Sequence, residues 1–70
     1  MNRTPIKSSN INSIGYEEKE KILEIEFHSG GVYQYLNVEK GVYTQLMNAP
    51  SKGTFFHNFI KDKYTTRKVK

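Results

Sequence analysis

Seventy residues without a cysteine allow one small core and no second domain; neither disulfides nor thiolate metal sites can support it, and the cytoplasm is the expected location. No run of about 18 apolar residues occurs and Met1–Ser9 lacks the apolar stretch of a signal peptide, so neither a membrane span nor signal-directed export is expected. The net charge of +4 is segregated, with Arg3 and Lys7 at the start, six glutamates against Lys19 and Lys21 over residues 17–39, and seven cations against Asp62 over residues 40–70. Such asymmetry fits a polyanionic partner, or else a solvated surface with a basic tail.

In chain order, residues 1–8 form a flexible arm, and Asn10–Tyr16 reads as a short strand between a serine pair and charged residues. Lys21–His28 sets Leu23, Ile25 and Phe27 against Glu24, Glu26 and His28, the period-two signature of a half-buried strand. Ser29-Gly30-Gly31 supplies a turn, and Val32–Leu36 resumes with β-branched and aromatic residues, so the two strands make a hairpin. From Asn37, placed as an N-cap, the spacing becomes helical: Val38, Val42 and Leu46 recur every four residues, widened by Tyr43 and Met47. Gly41 weakens that helix by about 1 kcal/mol relative to alanine, and Pro50 ends it. Ser51 caps a second helix whose apolar face is Phe55, Phe56, Phe59, Ile60 and Tyr64. Residues 65–70 lack apolar periodicity and read as a frayed basic tail.

The expected architecture is α+β, a three-stranded antiparallel β-meander followed by two short helices packed on one face (β-β-β-α-α), with residues 9–64 as a single domain and a monomer as its state.

Three constellations invite a functional reading. Tyr33 and Tyr35 could form a stacking platform for bases, or belong to the core. An even-numbered hairpin loop puts Gln34 between Ile25 and Phe27 on the apolar face, whereas an odd, glycine-bulged loop puts the tyrosines there. Burying an unpartnered amide costs about 1–3 kcal/mol while tyrosine rings bury well, which favours structural tyrosines. The opposite face would then show Glu24, Glu26, Gln34 and His28, an acidic strip that repels phosphate. Ala49–Gly53 could hold an anion at a helix N-terminus, but an ordinary serine cap is the commoner outcome. Glu24, Glu26 and His28 share one strand face and could chelate a metal weakly, although solvated polar groups explain them as well. No nucleophile, base and orienting group fall into a catalytic pattern, and neither an enzyme nor a cofactor is expected.

Ser9-Asn10-Ile11, Ile14-Gly15-Tyr16, Leu23-x-Ile25-x-Phe27, Gly31-x-Tyr33-x-Tyr35, Val38, Ala49-x-Ser51-x-Gly53, Phe56, Ile60, Asp62 and Tyr64 follow one another in an order that resembles the KTSC domain. That family occurs at the C-terminus of some lysyl-tRNA synthetases and as stand-alone small proteins of bacteria and phages. Glu39, His57, Lys61 and Thr65 depart from the residues common there, and Lys61 offers a point charge in place of an arginine's planar fork. The resemblance implies a non-catalytic module with RNA as partner. The phosphate contacts are then expected from the cations of the second helix and tail, Lys52, Lys61, Lys63, Arg67, Lys68 and Lys70, which Arg3 and Lys7 could join. The rival expectation is a protein partner docked on the acidic strip or on exposed Ile22, Val32 and Leu36.

Overall fold

The computed structural model describes residues 1–70. Five antiparallel strands form one sheet in chain order: β1 (Arg3–Pro5), β2 (Ile11–Glu17), β3 (Ile22–Phe27), β4 (Val32–Tyr35) and β5 (Thr66–Lys68). Two helices, α1 (Lys40–Asn48) and α2 (Lys52–Phe59), lie in the chain between β4 and β5. The class is α+β, with three strands at the centre where the sequence predicts them and two short ones at the edges.

The β3–β4 loop settles the tyrosines. Glu26 pairs with Val32, five residues lie between them, and Gly30 takes a φ of 103° that a side chain would resist. This odd loop sets Leu23 opposite Tyr35 and Ile25 opposite Tyr33, so both tyrosines join the apolar face and Gln34 leaves it. Tyr35 is buried and Tyr33 half-buried. Ile11, Ile14, Leu23, Ile25 and Tyr35 form the sheet's share of the core, closed from the other side by Val38, Leu46 and Ile60. At about 25 cal/mol per Å² of apolar surface removed from water, these side chains carry most of the stability of a chain that has no covalent cross-link.

The first helix starts later than its apolar spacing suggests. Asn37 is no N-cap: it adopts φ 60°, a left-handed conformation that asparagine tolerates, and turns the chain so that Val38 drops into the core. Glu39 takes the cap position without a side-chain hydrogen bond. Tyr43 of α1 stacks on Tyr16, centroids 4.8 Å apart, while the Tyr16 hydroxyl donates to the Val38 carbonyl. Ser51 caps α2 as expected, its Oγ accepting from the Thr54 N–H at 3.2 Å. The apolar face of α2 is narrower than its composition suggests. Phe56 packs edge-on against Phe27 and Tyr35, and Ile60 is fully buried, but Phe59 lies one helical step round and is 59% exposed.

Both termini depart from expectation. Residues 3–5 are no loose arm, and residues 66–68 are no frayed tail: Arg3, Thr4 and Pro5 pair with Gly15, Ile14 and Ser13, while Thr66, Arg67 and Lys68 pair with Tyr35, Gln34 and Tyr33. Neither segment carries apolar alternation because each is an edge strand held by backbone hydrogen bonds, with polar side chains on a face that solvent reaches. Pairing continues past β5, as the Val69 and Lys70 N–H groups donate to the Val32 carbonyl and Val32 donates to Lys70. Val32, expected on the surface, is therefore buried.

One register row crosses all five strands, running Arg3, Gly15, Glu24, Gln34, Arg67. Arg3 reaches the Glu24 carboxylate, Gln34 donates to Glu24 at 2.8 Å, and the Arg67 Nε–H donates to Gln34 at 2.9 Å. Arg3 can lie over β2 only because position 15 is glycine; a Cβ there would sit 2.7 Å from the Asn2 carbonyl and 2.9 Å from Arg3 Cγ. Neighbouring Glu26 accepts from Asn12 at 2.8 Å and Ser13 at 2.9 Å, bonds that hold its carboxyl below the usual carboxylate range, with Arg3 and Lys70 adding to the effect. The expected acidic strip is thus a hydrogen-bonded network whose charge is met by Arg3 of β1 and which is tied to β5 through Gln34.

Candidate nucleic-acid interface

The helices do not cover the whole apolar face. Between α2 and the β3–β4 hairpin an open cleft of about 580 Å³ remains, a size typical of small-ligand sites. Its aromatic wall comes from Phe27 on β3, Tyr33 and Tyr35 on β4, and Phe56 on α2. Phe27 stands edge-on to Tyr33 at 5.8 Å and to Phe56 at 5.4 Å, an arrangement that fixes the rings relative to one another. Polar groups rim the opening: Asn10 and His28 on one side, His57, Lys61 and Asp62 on the other. His28 is held in place through its Nε2 against the Ser8 carbonyl at 2.8 Å. Asp62 sits at φ 62° in the reversal that carries the chain from α2 to β5.

Tyr35 lies deepest. Burial, followed by the neighbouring Tyr33 and Asp62, pushes its phenol up to about 12. It lines the cleft, and its hydroxyl opens there without a hydrogen bond from the protein.

A second, polar groove of about 380 Å³ continues from the cleft along the N-terminus of α2, lined by Lys7, Ser8, Ser51, Lys52 and Thr54 and sharing Ser9, Asn10, Gly53 and His57 with it. Lys52 folds back to donate to the Ala49 carbonyl at 3.2 Å.

The six cations singled out in the sequence do not form one surface. Lys61 lines the cleft, Lys68 stands 6.0 Å from the centre of the Tyr33 ring, Lys52 lines the groove, and Lys63 is exposed in the turn after α2. Strand alternation sends Arg67 to the far face of the sheet, where it joins Gln34, and Lys70 lies close enough to Glu26 to act on it. Of the two N-terminal cations that could join these contacts, Lys7 also lines the groove, because folding brings the segment before β2 beside α2, whereas Arg3 is held by Glu24 and Glu26 on the far face. All four ion pairs draw their carboxylates from the acidic stretch, namely Arg3 with Glu24 and Glu26, Lys21 with Glu39, and Lys40 with Glu18. None uses any of the six cations. The metal reading of Glu24, Glu26 and His28 gives way to the bonds those residues make to Arg3, Gln34, Asn12, Ser13 and Ser8.

The family model of the KTSC domain matches residues 7–64. The chain belongs to the KTSC domain family. A crystal structure of a KTSC domain protein from Yersinia pestis is 45% identical and superposes with a TM-score of 0.96, covering 99% of this chain and 97% of that one. A lysine–tRNA ligase of Nostoc punctiforme is 48% identical over 58 residues, which are 83% of this chain but 10% of the ligase. A protein of Stutzerimonas stutzeri, 38% identical over 64 residues, is covered almost end to end, 91% of this chain against 90% of that one. The KTSC domain therefore occurs both as a small part of a much longer ligase and as nearly a whole chain.

Proposed function

We propose that this KTSC domain is a non-catalytic, cytoplasmic RNA-binding module that takes single-stranded RNA along the cleft and groove beside α2. The observation that carries the reading is the pairing pattern: glutamates take up Arg3, Lys21 and Lys40, while Lys52, Lys61, Lys63 and Lys68 stay free of carboxylates, Lys61 and Lys68 of them beside the aromatic wall. Free lysines neutralise phosphates and release counterions, and aromatic walls accept unstacked bases, a combination suited to single strands more than to a duplex. The likeness to a segment of lysine–tRNA ligases supports RNA as the polyanion. Arg67 and Lys70, turned toward the far face, contribute less than the other four.

Titration of a labelled single-stranded RNA and of tRNA at about 50 and 200 mM salt tests the proposal. Binding should weaken steeply with salt, and replacing Lys52, Lys61 and Lys68 by glutamine should flatten the slope by about 0.7 per lost contact. Absence of binding at the lower salt overturns it.

A further inference from the structure

The cleft holds a donor and an acceptor that do not meet. Tyr35 is 4% exposed and lines the cleft, and its hydroxyl, which no protein group hydrogen-bonds, is the part that opens to the cleft. Asp62, close enough to act on that phenol, is in no ion pair. A carboxylate offers two acceptor oxygens and a phenol one donor, so the matching ligand edge carries adjacent N–H groups beside a carbonyl. Among the nucleobases guanine has that edge, with N1–H and N2–H₂ for the carboxylate and O6 for the hydroxyl. Adenine turns a lone pair toward the carboxylate at N1, as cytosine does at N3, and uracil flanks its one N–H with two carbonyls.

The cleft also leads somewhere. Gly53 borders both the cleft and the groove, and a Cβ there would lie 3.6 Å from Ser8 Oγ and 3.7 Å from Asn10 Nδ2, filling the passage between them. A nucleotide with its base among the rings would send its phosphate through this passage toward Lys7 and Lys52. We infer that the cleft binds one unstacked guanine nucleotide, its Watson–Crick edge on Asp62 and the Tyr35 hydroxyl and its phosphate in the groove at Lys7 and Lys52. The inference rests on the RNA-binding reading and adds to it a base preference and a location.

The test compares an oligouridine with the same oligomer carrying a single central guanine, and follows 5′-GMP, AMP, UMP and CMP by amide chemical shifts. The guanine oligomer should bind about tenfold tighter or more, and GMP should shift amides around Gly53, Phe56 and Asp62 where the other nucleotides do not. Asp62→Asn, which keeps the size and tolerates the left-handed backbone, should abolish the preference, as should Tyr35→Phe. Gly53→Leu should block the passage and weaken both the oligomer and GMP, while leaving the melting temperature at or above that of the parent, since leucine is the better helix former. GMP bound in the cleft with no gain from the oligomer supports the site and identifies the free nucleotide as its ligand. Equal affinity for both oligomers, unaffected by all three variants, overturns the guanine site and leaves RNA binding standing; failure of every RNA to bind at low salt, together with no GMP shifts, overturns both.

Discussion

The two faces of the sheet are held by different physics. Under the helices, Ile14 and Ile25 lie in one register row and Leu23 faces Tyr35 in the next, and stability comes from apolar area removed from water. On the far face the row from Arg3 to Arg67 spans the same five strands with hydrogen bonds and one ion pair, and it fastens the two edge strands that the core does not reach. One face is tolerant in geometry and costly to hollow out; the other is modest in energy and strict in register. The cleft lies on the first of these faces, where the apolar surface left uncovered by α2 meets polar rims.

The largest expected effect belongs to Ile25→Ala. Cavity formation at a fully buried central position should cost about 2–5 kcal/mol, a large share of the total stability of so small a domain, and show as a collapse of the denaturant midpoint. A variant that melts like the parent would place the core elsewhere.

The floor of the cleft is tested by pH. Tyr35 holds its proton in the folded state up to about 12, whereas an unfolded tyrosine loses it near 10. The unfolded chain therefore binds fewer protons between those values, and stability falls as pH rises through that window. Tyr35→Phe should remove this share of the alkaline loss, measured as melting temperature against pH; an unchanged profile would show that Tyr35 is not the group responsible.

On the far face Glu24→Ala strips Arg3 and Gln34 of their shared acceptor and should cost about 1–3 kcal/mol. If the row serves the edges, the damage should fall there: amide exchange at residues 3–5 and 66–68 should accelerate more than at Leu23 or Ile25. Gly15→Ala should loosen β1 by a separate route, since its Cβ collides with the Asn2 carbonyl. Uniform acceleration in both variants would mean that the row does not hold the edges in particular.

The smallest effect is a gain. Gly41 lies in α1, away from both faces, with nothing within 4 Å of where a Cβ would stand, so Gly41→Ala should stabilise by about 0.5–1 kcal/mol without altering RNA affinity. A loss of stability would mark position 41 as more than a helix surface.

By itself the sequence determined what periodicity and local chemistry encode. Leu23, Ile25 and Phe27 announce a half-buried strand because side chains alternate at every residue. Pro50 and Ser51 announce a helix boundary because one cannot continue a helix and the other caps the next. Even the placement of Tyr33 and Tyr35 follows from sequence once a buried glutamine is weighed against buried rings. Edge strands escaped because β1 and β5 are three residues each and held by backbone groups, which every residue carries and no side-chain pattern advertises. The fate of the charges was equally hidden. Whether Arg67 and Lys68 share a surface depends on strand alternation, and whether Glu24 is a free charge depends on Arg3, 21 residues earlier in the chain. The cleft is the extreme case: Asn10, Tyr35, Gly53 and Asp62 come from four separate segments, and only the packing of α2 against the sheet brings them to one opening.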